Sequence, residues 1–386
     1  MPDGTNVGLI GYKFMGKAHS HAFRTVDKFF DPTSKPVMKA ICGRDEQAVS
    51  EFAERWGWES YETSWQTLVS RDDIDLVDIG TPGSTHAEMA IAAAQAGKHV
   101  FCEKPMAMNL AECRAMLEAA RAAGVKHMVN HNYRRVPAVS LAKRMIEADE
   151  IGEIRHARFT YLQDWLTNPE FPMNWRLRKE SAGSGAHGDL GSHMIDLAHF
   201  LVGDLDSVVG QKKTYITERP AEGTSSGLTA TAGEGTEQVT VDDHSMWLTK
   251  FANGALGSFE ATRLAAGRRN FNRFEINGSK GSLVWCFEDM NWLEFYSTES
   301  PAHEQGFRRI LATEECHPYA GNWWPPGHLL GYDHTFVHAV YDLLEDIAHD
   351  RPCWPDFRDG AQVVAVLEAV NRSIDSGSWA DVERVE

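Results

Sequence analysis

The stretch that decides the fold runs from Val7 to Ala18, VGLIGYKFMGKA. An apolar run ends at Gly11, and helical spacing begins at Phe14. Strand, tight turn and helix in that order are the setting of a dinucleotide-binding turn, whose fingerprint is G-x-G-x-x-G. Gly11 and Gly16 stand in the first and third places, but Lys13 stands in the second. The middle glycine ordinarily lets the backbone approach a pyrophosphate. A lysine there either spoils the turn or rebuilds it, swinging outward to set an ammonium near a phosphate. The helix start behind the turn offers free backbone N–H groups to an anion.

Outward from this turn, the first third of the chain alternates short apolar runs with helical patterns. NVGLIG, VMKAIC, LVDIGTP, HVFCEKP and KHMVNHN read as strands. Phe14–Phe29, EQAVSEFAERWG, HAEMAIAAAQAG and LAECRAMLEAARAAG read as helices, the last three closed by Gly57, Gly97 and Gly124. Such alternation implies βαβ units and a parallel, doubly wound sheet with right-handed crossovers. After about Tyr133 the texture changes. SMWLTKFANGALGSFEATR is two alternating runs joined by Asn253-Gly254, a hairpin signal, and FEINGSKGSLVWCFE repeats the pattern. The expectation is an α/β protein. A Rossmann domain covers residues 1–132, and an α+β domain with a large, mostly antiparallel open sheet covers 133–386. The Gly/Thr/Ala-rich segment between Pro220 and Thr240 predicts a mobile surface loop.

The bulk numbers agree with two domains: 386 residues, 42 % hydrophobic and 24 % charged. With Lys+Arg 38 against Asp+Glu 55, the net charge is -17, which argues against nucleic acid or an anionic membrane as partner. The six cysteines form no C-x-x-C pair, which suits a reducing compartment. No secretory leader and no long apolar run is found, so a cytoplasmic protein is expected. Twelve tryptophans serve either as packing or as walls for a sugar ring.

Three further segments carry chemistry. The second strand ends AICGRDE, with Gly43 where an acid would bond the ribose hydroxyls of NAD. Arg44 follows, and an arginine there can accept a 2′-phosphate, so the segment leans toward NADP or dual use. Glu103-Lys104-Pro105 follows an apolar strand, and strand C-terminal ends form the ligand crevice of such sheets. Lys104 there is either placed for proton handling or an ordinary surface charge. In GSGAHGDLGSHMIDLAHFL, a helix over Asp189–Leu201 puts Leu190, Met194, Leu197 and Leu201 on a core stripe. Asp189, His193 and Asp196 fall on the adjacent stripe, so Asp189 and His193 can meet. That pair is either a general base with its orienting carboxylate or a buried structural pair. No third residue at convincing spacing makes a metal site of it.

Together, in this order, these motifs resemble the glucose-fructose oxidoreductase, inositol dehydrogenase and rhizopine-catabolism family, Gfo/Idh/MocA, over nearly the whole chain. GLIGYKFMGKAH is similar to its cofactor turn, TPGSTH to its T-P-N-x-x-H element, and CEKP to its E-K-P signature. NYRRVPA is similar to its domain-joining segment and GDLGSHMIDL to its D-x-x-x-H helix. The resemblance implies that Lys104, Asp189 and His193 are catalytic. It places Gly11, Lys13, Phe14, Met15 and Gly16 at the pyrophosphate of NAD or NADP, and Thr81, Pro82, His86, Glu103 and Lys104 along the cofactor, with Arg44 the candidate for its ribose. Lys13 and Gly83 depart from the family pattern. Within the family, YLQDW (161–165), NWR (174–176), ERP (218–220) and GYDHTF (331–336) resemble the glycoside 3-dehydrogenases. That implies Tyr133, Tyr161, Gln163, Trp165, Trp175 and Tyr332 near the substrate, with Arg176 beside them and the cofactor.

The implied activity is NAD(P)-dependent oxidation of a secondary ring hydroxyl, at C3, of a pyranose such as levoglucosan or a glucoside. His193 would take the hydroxyl proton, oriented by Asp189, and Lys104 would steady the alkoxide; the roles of Lys104 and His193 could also be exchanged. The same fold also serves inositol dehydrogenases, glycosidases that form a transient 3-keto sugar and return the hydride, and cofactor-binding sensors. Joint presence of Lys104, Asp189 and His193 argues against a sensor. The resemblance further implies a homodimer or homotetramer formed through the open sheet face.

Overall fold

A computed structural model describes residues 4–226 and 229–386. The chain packs as two units. One holds the residues up to Asn132 together with Gly331–Val364 and Glu386; the other holds Tyr133–Leu330 and Ala365–Val385.

The first unit opens with β1 (Thr5–Ile10), α1 (Phe14–Phe29), β2 (Pro36–Cys42), α2 (Glu46–Trp56), β3 (Ser60–Glu62), α3 (Trp65–Val69), β4 (Leu76–Ile79), α4 (His86–Gln95), β5 (His99–Cys102), α5 (Leu110–Ala123) and β6 (His127–Val129). Its six strands lie in the order β3-β2-β1-β4-β5-β6, all parallel. Val7, Leu9, Ile41, Leu76, Val77, Ile79 and Val100 are wholly buried, as expected for strands covered on both faces. The direction of winding reverses between β1 and β4, and ligands of doubly wound sheets bind outside the strand ends at that point. The short β3 and α3 lack a long periodic run and were not legible beforehand.

The second unit contains α6 (Pro137–Glu147), β7 (Ile154–Leu162), α7 (Lys179–Ala182), α8 (Ala186–Asp189), α9 (Gly191–Leu201), β8 (Leu205–Lys213), β9 (Glu218–Ser226), β10 (Thr229–Gln238), β11 (His244–Phe251), β12 (Leu256–Thr262), β13 (Phe271–Gly278), β14 (Gly281–Cys286), β15 (Trp292–Ser297) and β16 (Arg308–Leu311). The chain then makes α10 (Tyr332–Ala348) of the first unit, α11 (Phe357–Ser376), and β17 (Ala380–Asp381). A nine-stranded sheet runs β16-β15-β14-β13-β7-β12-β11-β8-β17, antiparallel except where β12 lies parallel to β7. The two hairpins expected from the alternating runs are β11–β12 and β13–β14. Along β11 burial alternates strictly, and Trp247 stacks on Phe259, and Phe259 on Phe159, at 4.8 and 4.9 Å on the covered face. Helices α8 and α9 pack there. Back in the first unit, α10 lies along α1, with Phe30 against Tyr341 at 4.7 Å.

Two expectations need correction. The helix read over Asp189–Leu201 is two helices, α8 and α9, stepping at Leu190 between Gly188 and Gly191, residues that weaken a helix. Asp242 accepts the backbone N–H groups of Gly185 and His187 at 2.9 and 2.7 Å and so caps α8. The segment from Pro220 to Thr240 is an antiparallel ribbon, β9 with β10, and not a loop; residues 227 and 228 lie outside the described residues. Cβ atoms at Gly223 and Gly233 would stand 2.9 Å from carbonyl oxygens of the opposite strand. Those glycines permit close approach of two backbones. The ribbon is poor in apolar residues because it is largely exposed, which made it look like a loop. Among the described residues no helix is long and apolar enough to cross a membrane.

Candidate active site

The turn after β1 is shaped by two glycines. Gly11 has φ +107°, where a side chain is strained, and a Cβ there would lie 3.0 Å from the Gly80 carbonyl oxygen. A Cβ on Gly16 would lie 2.3 Å from the Gly11 carbonyl oxygen, so α1 starts pressed against the turn. Lys13, by contrast, has φ -80° and an exposed side chain at the N-cap of α1. No left-handed backbone is needed at that position, so the lysine leaves the turn intact. Phe14 and Met15 open the helix. A cradle bounded by two obligatory glycines and a helix N-terminus fits the phosphates of a dinucleotide.

At the end of β2, a Cβ on Gly43 would strike the Tyr12 ring at 2.2 Å. The aromatic ring thus fills the place where an acid would stand. Neighbouring carboxylates are engaged elsewhere: Asp45 caps α2 through Ala48 N–H at 3.0 Å, and Glu62 pairs with Arg71 at 3.1 Å. Arg44 is exposed.

Thr81, Pro82 and His86 follow β4. Thr81 Oγ1 and Thr85 Oγ1 lie 2.7 Å apart. The buried His86 ring spans two loops, Nε2 at 2.7 Å from Thr81 O and Nδ1 at 3.0 Å from Pro105 O. Burial pushes its pKa down, so it is neutral and donates to one of these carbonyls at a time.

Behind Lys104 sits a buried charged cluster absent from the motif reading. His19, on α1, lies 2.7 Å from Asp78 Oδ2 through Nδ1 and 2.8 Å from Glu103 Oε1 through Nε2. Asn130 donates to the same Glu103 oxygen at 2.6 Å. Burial works against a charge on His19, but the two carboxylates prevail and raise its pKa to about 10. Although burial opposes it, the bond from His19 holds Glu103 below its ordinary value. Burial pushes Asp78 above its ordinary value against the pull of His19, so the raised His19 and the lowered Glu103 are the charged pair of the cluster. Glu103 Oε2 also accepts the backbone N–H of Lys104 at 3.2 Å, and the Lys104 side chain is half-buried. Tyr332 belongs to this unit too, at the start of α10, edge-on to Phe336 at 5.0 Å.

The second unit gathers the remaining candidates. His193, on α9, is 7 % exposed, and its ring lies 4.5 Å from that of Tyr133 and 5.8 Å from that of Tyr161. The Asp189 carboxylate accepts Arg263 Nη2 at 2.7 Å. Arg263, 1 % exposed, also covers the Trp165 ring at 5.6 Å. Arg176 lies over the Trp175 ring at 4.3 Å; burial holds its pKa below the ordinary value, with Asp189 acting in the opposite sense. The third residue of the stripe, Asp196, is a buried partner of Arg134, bonded at 2.8 and 2.9 Å. Tyr133 and Tyr161 meet through their hydroxyls at 3.0 Å. Tyr161 and Gln163 both donate to Asn270 Oδ1, at 2.7 and 3.0 Å, and Trp165 donates to Gln163 Oε1 at 3.0 Å. Buried Arg219 secures the loop behind them through the carbonyls of Leu166 and Asn168 at 2.7 and 2.8 Å.

So the turn, Thr81, His86, Glu103, Lys104 and Tyr332 share one unit, and Tyr133, Tyr161, Gln163, Trp165, Trp175, Arg176, Asp189 and His193 share the other. Sequence reasoning missed His19, Arg263 and Asn270. Only His19 left a trace, in the GKAH ending of the cofactor-turn motif.

Residues 5–131 match the oxidoreductase family's NAD-binding Rossmann fold, and residues 139–284 match the GFO/IDH/MocA C-terminal domain. The chain is 44 % identical over 385 residues to levoglucosan dehydrogenase of Pseudarthrobacter phenanthrenivorans, covering 98 % of each protein. A crystal structure of an oxidoreductase domain protein from Kribbella flavida superposes with TM-score 0.95 at 51 % identity, over 99 % of this chain and 100 % of that one. A levoglucosan dehydrogenase in complex with NADH and levoglucosan superposes with TM-score 0.94 at 42 % identity, over the same shares.

Proposed function

This chain belongs to the Gfo/Idh/MocA family of oxidoreductases, and from that premise we propose that it is a pyranose dehydrogenase oxidising the C3 hydroxyl of levoglucosan or a related glucoside. The observation that carries this reading is similarity to a levoglucosan dehydrogenase along essentially the entire chain. Retention of Lys104, Asp189 and His193 supports it.

NAD+, when bound, supplies the hydride acceptor. The residues around Gly11 and Gly16 hold its phosphates, with the Lys13 ammonium adding charge there. Thr81, Pro82, His86 and Glu103 would line the cofactor, and Arg44 would serve its ribose. His193 would take the proton of the secondary hydroxyl at Nε2 or Nδ1, while a bound NAD+ would supply the acceptor for the hydride, so that the product is a ketone. Asp189, bonded by Arg263 at 2.7 Å, would orient His193, and the Lys104 ammonium would bond the same oxygen as negative charge develops on it. Tyr133, Tyr161, Gln163, Trp165, Trp175, Arg176 and Tyr332 hold the sugar by ring faces and hydrogen bonds.

The enzyme works as a homodimer or homotetramer. Met246, Leu248 and Leu256 stand exposed along one face of β11 and β12, an apolar stripe suited to a second copy; light scattering of the purified protein gives the assembly size. The six cysteines, with no C-x-x-C spacing among them, suit a cytoplasmic enzyme. The functional test is a panel of levoglucosan, glucosides and inositols with NAD+ and NADP+ separately. Reduced cofactor should accumulate with a pyranose and not with inositols. Release of free sugar without reduced cofactor would instead indicate a glycosidase with a transient 3-keto intermediate.

A further inference from the structure

We propose that Asn270 is a specificity-determining residue, whose amide nitrogen donates to a substrate hydroxyl. This rests on the pyranose reading above. The argument begins from a group that can only donate. The Trp165 indole N–H lies 3.0 Å from Gln163, so the Gln163 atom facing it is Oε1. Gln163 Nε2, again only a donor, then faces Asn270 at 3.0 Å, so the Asn270 atom facing it is Oδ1. Tyr161 gives its single proton to that same Oδ1 at 2.7 Å. In the 3.0 Å contact between the tyrosines, Tyr133 is therefore the donor. One indole sets the direction of every proton from Trp165 to Tyr133. Amide ends are indistinguishable by shape, and here hydrogen-bond chemistry assigns them.

Two consequences follow for recognition. Both lone pairs of Asn270 Oδ1 are used, and that amide cannot turn over without losing the bond from Gln163, which can only donate. Its Nδ2 makes no bond among the described residues, and the side chain is only half-buried. A fixed amide donor thus sits one bond from Tyr161 and Gln163, on the relay that ends at Tyr133 against the His193 ring. A hydroxyl oxygen is an acceptor that fits such a donor, and a cyclic polyol offers one beside each ring carbon. Polar groups built to meet a substrate hydroxyl reject analogues lacking it far more strongly than apolar walls reject a missing methylene.

The test uses enzyme with NAD+ and compares kcat/KM on methyl glucoside with its monodeoxy analogues, each lacking one hydroxyl other than the one oxidised. Wild type should lose roughly tenfold to hundredfold on one analogue. In Asn270→Ala that penalty should vanish while the ratios for the other analogues stay as in wild type. Gln163→Glu presents an acceptor to Asn270, turns the amide over and should erase the same penalty with Asn270 in place. Should Asn270→Ala fail to bind NADH, the Gln163→Glu comparison decides. A penalty that persists in the variants overturns the role of Asn270 and leaves the dehydrogenase reading standing. Wild type that binds NADH but turns over no pyranoside overturns both.

Discussion

The turn after β1 and the cluster around His193 prepare for small polar molecules by opposite means. The turn is made by backbone: Gly11 supplies a positive φ, Gly16 lets a helix start touch a carbonyl, and the side chain between them faces outward. The His193 cluster is made by side chains, with Asp189 fixed by Arg263 and a chain of neutral donors running from Trp165 to Tyr133. Backbone fits a phosphate common to every dinucleotide. Side chains, which change without changing the fold, fit the part of the reaction that differs between relatives. Between these extremes stands the Lys104 turn, on the backbone side of the molecule but held by the Asp78–His19–Glu103 cluster.

The strongest challenge to this contrast is to delete, on each side, the group proposed to react. Lys104→Ala and His193→Ala should each lower turnover by roughly 10²- to 10⁴-fold. NADH affinity, read by fluorescence, should change little for His193→Ala, because the cofactor cradle lies in the other unit.

Next in size is the buried cation. His19→Asn leaves two buried carboxylates without their partner and should cost about 3 kcal/mol in denaturant unfolding. Its signature is in pH. Because the folded pKa of His19 is raised from 6.5 to about 10, its contribution is complete below pH 6.5 and is lost as pH rises through 10. The wild-type Tm should therefore fall across that window, and His19→Asn should lack that part of the fall. An unchanged profile in the variant would remove the imidazolium from the account.

A smaller effect belongs to Gly16→Ala. Its methyl would stand 2.3 Å from a backbone carbonyl, and the strain should weaken NADH binding by about 2 kcal/mol, roughly thirtyfold. Smallest of all is Lys13→Ala, where the backbone suits any residue. NADH affinity should fall less than about threefold, and the loss should shrink as salt is added. A loss as large as that of Gly16→Ala would mean that the side chain, and not the backbone, makes the phosphate site.

Legibility follows the same division. Both glycines of the phosphate turn and the helix start behind them lie within ten residues of chain, so glycine spacing and an apolar run reveal it, and strand–helix alternation then gives the parallel sheet. At Lys13 the backbone, with φ of -80°, is one that any residue adopts, a property no residue spacing displays. Asp189 and His193 were found because they share a short motif. Arg263 and Asn270 reach the same cluster from beyond β12, about 70 residues from Asp189, and no local pattern marks an arginine at a strand end or an asparagine before a strand. Tyr12 closing the acid position at Gly43 was hidden for the same reason: two residues distant in sequence compete for one space. In the β9–β10 ribbon the glycines read as a loop in the sequence, whereas in the fold they allow two strands to approach.

The most direct test of the central claim is the appearance of reduced-nicotinamide absorbance when purified protein meets NAD+ and levoglucosan, with Lys104→Ala as control. The account predicts accumulation of reduced cofactor with the wild type and its near loss in the variant, both proteins binding NADH alike. Bound NADH with no reduced cofactor formed from levoglucosan or any glucoside would contradict it.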